Sequence, residues 1–170
     1  MKVLAIIDMQ KDFIDGALGT KEAVAIVPAV AARLQQARSS GETVVFTRDT
    51  HHEDYLTTQE GRNLPVPHCL EGTAGWKIDA ALPVEDAPVF DKPGFGSPAL
   101  IDYLSRLPEL ESVEFIGLCT DICVITNAMM LKGARPEVPI RVRAACCAGV
   151  TPQSHENALA AMKQCQIEIL

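Results

Sequence analysis

Three residues of this 170-residue chain have the types and positions from which a nucleophile and its proton carrier could be assembled. Asp8 closes the apolar run from Val3 to Ile7. Lys92 follows Pro88-Val-Phe-Asp91, and Cys123 comes just after Val113-Glu-Phe-Ile-Gly-Leu118. Each therefore lies at or just beyond the carboxyl end of a short apolar run, the place where ligands gather in an open α/β sheet. A thiol in the first turn of a helix feels the positive helix end, which favours the thiolate. Asp8 can take its proton, and a lysine ammonium nearby holds both anions in place. Backbone amides between Cys119 and Cys123 would face outward at the helix start, ready for an oxyanion. Each residue also has a plainer use: the Asp as a cap, the Cys as a small core residue, the Lys as solvated surface. Their joint occurrence at three strand ends favours chemistry.

A second set lies close by. Asp49, His51, Glu60 and His68 offer two carboxylates and two imidazoles, a donor set suited to Zn²⁺ and similar ions, at looser spacing than a fixed zinc motif. A polar surface loop is the alternative reading. Gly94-Phe-Gly96 is only a fragment of a dinucleotide loop and does not follow the first strand, so no nucleotide site is assigned. Cys119 and Cys123 lack redox Cys-x-x-Cys spacing. Cys146-Cys147 is expected to be core, and His155 a capping or surface residue.

The elements that must position these groups alternate in period. Runs at Val3–Asp8, Thr43–Asp49, Ala87–Lys92, Ser112–Leu118, Ile140–Ala145 and Gln166–Leu170 read as strands. Ala23, Ile26, Val27, Val30, Ala31 and Leu34 recur at helical spacing, with Gly41 as the stop. Pro98 opens a short helix, Asp121 to Lys132 forms another ended by Gly133, and Thr151 caps a last one beginning at Pro152. Such alternation implies an α/β fold: one domain over residues 1–170, an open, mainly parallel sheet with helices on both faces. The polar stretch from Thr50 to Val84 breaks the alternation, and loops that long in a compact domain are usually functional.

Composition narrows the partners. Lys and Arg total 15 against 22 Asp and Glu, a net charge of −7 with no basic block, which argues against nucleic acid and anionic membranes. The apolar run before Asp8 is too short for a signal-peptide core, and no stretch reaches membrane-spanning length. Six cysteines without an export signal read as free thiols in the cytoplasm.

Ile7-Asp-Met-Gln-Lys-Asp-Phe13, Lys92 and Gly117-Leu-Cys-Thr-Asp-Ile-Cys-Val124 together resemble the cysteine hydrolases of isochorismatase-like fold, which include nicotinamidases. The resemblance runs through essentially the whole chain and implies a Rossmann-like three-layer architecture with Asp8, Lys92 and Cys123 as the catalytic triad. It also implies a cis peptide before Cys119, with the amides of Cys119 and Cys123 forming the oxyanion hole. The implied reaction is hydrolysis of a small amide through a cysteine thioester, with nicotinamide to nicotinate plus ammonia as the favoured case. True isochorismatases lack the nucleophilic Cys, so Cys123 points away from vinyl-ether hydrolysis. Val66-Pro-His-Cys-Leu-Glu-Gly-Thr73 resembles the nicotinamidase segment that supplies a metal-binding His. The resemblance thus implies a divalent ion, Zn with Mn or Fe as alternatives, on Asp49, His51, His68 and Glu60, and a homo-oligomer. His52 lies outside that pattern and reads as solvent-facing.

The chain departs from nicotinamidases in two respects. They commonly clamp the pyridine ring between two aromatics; Phe13 matches the first, but Pro65 stands at the second position. The segment from Pro93 to Pro98 is also short, although Phe95 could line the pocket, and Trp76 could substitute or merely anchor its loop. The alternatives are therefore a different small amide or a ureido or carbamoyl compound, or, in other classes, a receiver-like signalling module or a non-catalytic metal- or thiol-binding scaffold. Met9 stands where a receiver would need a second acid.

Overall fold

The computed structural model describes residues 1–170. Six parallel strands form one sheet: β1 (Lys2–Ile7), β2 (Thr43–Asp49), β3 (Val89–Lys92), β4 (Ser112–Leu118), β5 (Ile140–Ala148) and β6 (Glu168–Ile169), in the order β3-β2-β1-β4-β5-β6. The central β1 is covered on both faces. Its five residues from Val3 to Ile7 are all buried, so it reads as a continuous apolar run rather than an alternating one. The edge strands β3 and β6 are short, which limits unpaired backbone at the sheet edges.

The helices are α1 (Lys11–Ile14), α2 (Lys21–Ser39), α3 (Gln59–Asn63), α4 (Pro98–Arg106), α5 (Ile125–Ala134) and α6 (Pro152–Gln164). The chain steps one way along the sheet from β1 to β3, then crosses back through α4 and steps the other way from β4 to β6. Right-handed crossovers therefore place α2 on one face and α4, α5 and α6 on the other. The contacts agree: α2 packs across β2, β4 and β5, while α4 meets α5 and α5 meets α6. No helix is long and apolar enough to cross a membrane.

Local signals account for most helix ends. Thr20, Thr58, Ser97 and Thr151 each cap a helix by accepting a backbone N–H through the side-chain hydroxyl. Gly41, at φ +71, terminates α2 as expected. Gly133 does not terminate α5, which runs on to Ala134. The stop is Pro136, which excludes the residue before it from helical geometry; Arg135 sits at φ −135, ψ 70. The segment expected to begin as helix at Asp121 instead opens with a π-helical turn, Thr120–Val124.

Two features position the site. The strand order reverses between β1 and β4, and the crevice at such a switch point is where open sheets bind ligands. Gly117 on β4 pairs with Ile7 at that junction. It holds φ +117, and a Cβ there would run into the Ile7 carbonyl, so the close approach of the two strands requires glycine. On the α2 face, Glu114 of β4 is clasped by Arg33 through two hydrogen bonds (3.1 and 2.9 Å) and by Arg143 (2.6 Å). This ion group ties α2, β4 and β5 together.

Candidate active site

Asp8 leaves β1 in the left-handed region, at φ +46, a conformation Asp tolerates better than most residues. Thr47 of β2 donates to Asp8 Oδ1 (2.6 Å) and accepts from the Asp8 N–H (3.2 Å). Lys92, at the end of β3, is buried with its Nζ 2.6 Å from Asp8 Oδ2, 3.2 Å from Asp49 Oδ1 and 3.4 Å from Cys123 Sγ, and it donates to the Gly94 carbonyl at 2.9 Å. Asp8 Oδ2 meets Lys92 off the hydrogen-bond direction and has no partner in hydrogen-bonding geometry, so it keeps a lone pair for a proton. The fold thus brings Asp8, Lys92 and Cys123 together. The peptide between Leu118 and Cys119 is cis, as the resemblance implies.

Charge at this cluster follows burial. Desolvation and the neighbouring Asp49 charge raise Asp8 above the ordinary carboxylate range, against the pull of Lys92. Burial works against the Lys92 ammonium, but Asp8, Cys123 and Asp49 more than offset it, so the group stays protonated. Burial and then the Asp8 charge push the Cys123 thiol well above its ordinary value. This reverses the expectation of a resting thiolate: a partial positive charge at one helical turn does not outweigh full burial beside a carboxylate. Cys119 is likewise pushed up, to about 12, chiefly by burial. Cys146 and Cys147 are buried in β5, as expected.

Asp49, His51, Glu60 and His68 also converge. Their ligand atoms lie within 4.8 Å of one another. His51 Nε2 is buried 2.9 Å from Asp49 Oδ2 yet has no partner in hydrogen-bonding geometry. His68 Nδ1 lies 2.8 Å from the Val66 carbonyl, which fixes the ring and leaves Nε2 facing the cluster, 3.6 Å from Asp49 Oδ2 and Glu60 Oε1. Burial and the Asp49 charge raise Glu60. Burial acts against charged His68, but its contact with Asp49 leaves it raised. An orphaned buried imidazole nitrogen, a second one held in place and two carboxylates fit a divalent cation. Tyr55, buried, packs edge-on against both rings, with centroids 4.7 Å from His51 and 5.0 Å from His68. His52 points to solvent beside Glu71.

Cys123 and all four of the metal-type donors line one cavity of about 830 Å³, with Asp8 and Lys92 buried behind Cys123. Phe13 and Phe95 line it, as expected; Pro65 and Trp76 do not. Trp76 is an anchor: its indole N–H donates to Thr50 (2.9 Å), and the Arg48 guanidinium stacks 3.5 Å over its ring. The side chain that reaches the cavity near Pro65 is Leu64. His155, expected as a cap or surface residue, places Nδ1 2.8 Å from the Thr120 hydroxyl and so ties α6 to the turn carrying Cys123.

Sequence reasoning missed several supporting groups. Gln10 is buried, donates to the Asp49 and Trp76 carbonyls and accepts from the Asp49 N–H, so it anchors the long loop to the β1 end. Asp12 accepts from the Cys69 N–H beside His68. Thr47, Tyr55, Leu64, Ile122 and Val150 were also missed.

The fold and this cleft define a hydrolase-type α/β protein with its reactive groups at the switch point. Residues 2–170 match the isochorismatase domain model, and the chain belongs to that family. It is 27% identical to the nicotinamidase/pyrazinamidase of Mycobacterium tuberculosis (strain ATCC 25618 / H37Rv), covering 100% of this chain and 98% of that protein. Among solved structures it superposes on the pyrazinamidase of Pyrococcus horikoshii in complex with zinc, with TM-score 0.87, 29% identity, and 99% and 98% of the two chains covered. It also superposes on the pyrazinamidase/nicotinamidase from Streptococcus mutans UA159, with TM-score 0.88, 28% identity and 100% of each chain covered.

Proposed function

We propose that the whole chain, as one catalytic domain, hydrolyses a small aromatic amide, nicotinamide to nicotinate and ammonia being the leading case. The observation that carries the reading is a buried ammonium, Lys92, touching Asp8, Cys123 and the metal-type ligand Asp49 at once. The names borne by its relatives support the same chemistry.

In this reaction Asp8 takes the Cys123 proton as the sulfur attacks the amide carbon. A thiol held protonated at rest needs a base in contact with it, and Asp8, raised by burial, is a stronger base than an exposed carboxylate. Lys92 keeps the developing thiolate and Asp8 paired with a cation throughout. The backbone amides of Cys119 and Cys123 would bind the carbonyl oxygen as it becomes an oxyanion, a reading supported by the cis peptide before Cys119. Asp8 then hands its proton to the departing ammonia, leaving a thioester. It next deprotonates a water that attacks the thioester carbon, and it returns that proton to the Cys123 sulfur as the carboxylic acid leaves. Asp49, His51, Glu60 and His68 would hold a divalent ion, with zinc favoured and Mn or Fe as alternatives, and such an ion would take the pyridine nitrogen as a Lewis acid and so orient the ring. Phe13 supplies one face against that ring, packed 5.5 Å from His68.

Six unpaired thiols support a cytosolic setting, and the family resemblance supports a homo-oligomer. A non-aromatic amide remains the second reading, favoured by the absence of an aromatic at Leu64 and Pro65. The deciding experiment is ammonia release over a panel of small amides, with and without added Zn²⁺, Mn²⁺ and Fe²⁺. Turnover of nicotinamide above aliphatic and ureido compounds supports the leading reading, and the reverse order replaces it.

A further inference from the structure

The cavity is larger than nicotinamide. Its volume of about 830 Å³ falls toward the upper end of the roughly 300–1,000 Å³ that encloses drug-sized ligands, whereas nicotinamide is one ring bearing a carboxamide. Its reach follows from the topology. The lining comes from segments leaving β1, β2, β3, β4 and β5, and strands about 4.8 Å apart put roughly 14 Å between the β2 and β5 ends. The metal-type donors run from the end of β2 into the segment after it, and Cys123 follows β4. An aromatic amide with its ring nitrogen at the donors and its carbonyl at Cys123 uses only the part between them.

The remainder is mostly apolar: Ile122 lies beside Cys123, Val150 follows β5, and Leu18, Leu64 and Phe95 add to the wall, with Thr20, Thr58, Gln59 and Asn63 as its uncharged polar members. Leu64, Phe95 and Val150 are 38%, 49% and 51% exposed, so three of the chain's exposed large hydrophobic residues meet in one cavity. Apart from the four donors, no lining residue carries a charged side chain. Such a wall rejects a charged substituent, whose desolvation nothing offsets, and rewards a neutral apolar one. Local sequence produces the space: a leucine reaches the cavity where a ring could stand, and Gly94 lines it with nothing near its missing Cβ.

We infer that the preferred substrates are aromatic amides larger than nicotinamide, carrying a neutral apolar extension that packs against Ile122 and Val150. The inference rests on the amidase reading above and adds no chemical step. Asp8 protonates ammonia if the extension is on the ring and the corresponding amine if it is on the amide nitrogen.

The test compares kcat/KM for nicotinamide with two series, one bearing alkyl groups on a ring carbon and one on the amide nitrogen. Metal-loaded wild type and Val150→Asn are assayed side by side, with thermal melting confirming that both are folded. The expected result is a rise of about fourfold per added methylene over the first few carbons in one series, and a clearly shallower rise in Val150→Asn. The series that rises identifies the atom bearing the extension. Profiles that are flat or falling in both series, with nicotinamide still turned over, overturn the inference and leave the amidase reading intact. Flat profiles together with a wild-type dimer that Val150→Asn dissociates also overturn it, placing a second copy of the chain over the mouth. Failure to cleave any pyridine amide, with or without an extension, removes both readings.

Discussion

Replacing Thr47 by Val tests whether Asp8 is held as the proton carrier or is merely buried there. The substitution keeps the β-branched shape suited to a strand and removes only the hydroxyl. That hydroxyl has two bonds to lose: the 2.6 Å donation to Asp8 Oδ1 and the 3.2 Å acceptance from the Asp8 N–H. Leaving a buried group unsatisfied costs about 1–3 kcal/mol, and the longer bond adds at the lower end, so a destabilisation of roughly 2–4 kcal/mol is expected. For a chain of this size each kcal/mol lowers Tm by about 2–4 °C, which predicts a fall on the order of 5–15 °C. The catalytic effect has a definite sign. Thr47 lowers the Asp8 pKa, so its loss raises it further, and the fraction of Asp8 in the ionised, proton-accepting form falls at acid pH. The acid limb of kcat/KM against pH should move upward, with activity least affected on the alkaline side. Thr47→Ser, which keeps the hydroxyl, should restore the limb and most of the stability. An unmoved acid limb in Thr47→Val, or a Ser variant indistinguishable from Val, would refute the assignment of Asp8 as the base.

Cys123→Ala should abolish ammonia release, while Cys119→Ala keeps most of it because only the Cys119 backbone amide is used; equal losses would sink the distinction. His51→Ala should lose the divalent ion, read by native mass spectrometry or elemental analysis of protein purified without chelator, and a variant that retains full metal would contradict the ligand set. Glu114→Gln should cost about 3 kcal/mol of stability, because it strips Arg33 and Arg143 of a shared buried partner while Arg33 keeps Glu42 at 2.6 Å. Glu114 is held below the ordinary carboxylate value: burial opposes this, but the Arg33 and Arg143 hydrogen bonds dominate. Its contribution is therefore complete above about pH 4.3 and fades as pH falls further, so melting curves of wild type and variant should converge in acid.

Much of the fold was legible because parallel α/β units announce themselves locally. All six strands were recoverable as short apolar runs, most clearly β1 and β4, where burial on both faces removes the need for alternation. Helix starts were legible where a hydroxyl caps them, as at Thr151, and the expected end at Gly133 failed because Pro136, not the glycine, stops the helix. The reactive residues could be guessed from strand ends, but their electrostatics could not. Whether Cys123 rests as a thiol or a thiolate depends on how deeply Asp8 and Lys92 are buried beside it, a quantity no local pattern carries. The same limit explains Gln10 and Thr47. Each acts by bonding across 39 positions of sequence, to Asp49 and Asp8 respectively. It explains Leu64 as well: spacing from His68 pointed to Pro65, but the chain turns so that its neighbour faces the cavity.

Asp49 joins the two halves of the site, and its position constrains how they work together. One oxygen faces Lys92 at 3.2 Å and the other faces His51 at 2.9 Å, so a single carboxylate serves the ammonium and the metal-type cluster. Burial alone would raise this group, yet contacts with His51 and His68 and the Lys92 charge hold it below the ordinary carboxylate range, so it stays ionised. An ionised Asp49 beside the buried Lys92 ammonium offsets its charge at the edge of the donor cluster. In the proposed mechanism this fixes a division of labour. Asp8, raised and with Oδ2 outside any hydrogen bond, is the carboxylate able to move protons, whereas Asp49, held below the ordinary range by its neighbours, is the one able only to hold. Two carboxylates on neighbouring strands, β1 and β2, thus acquire opposite roles from their contacts rather than from their chemistry.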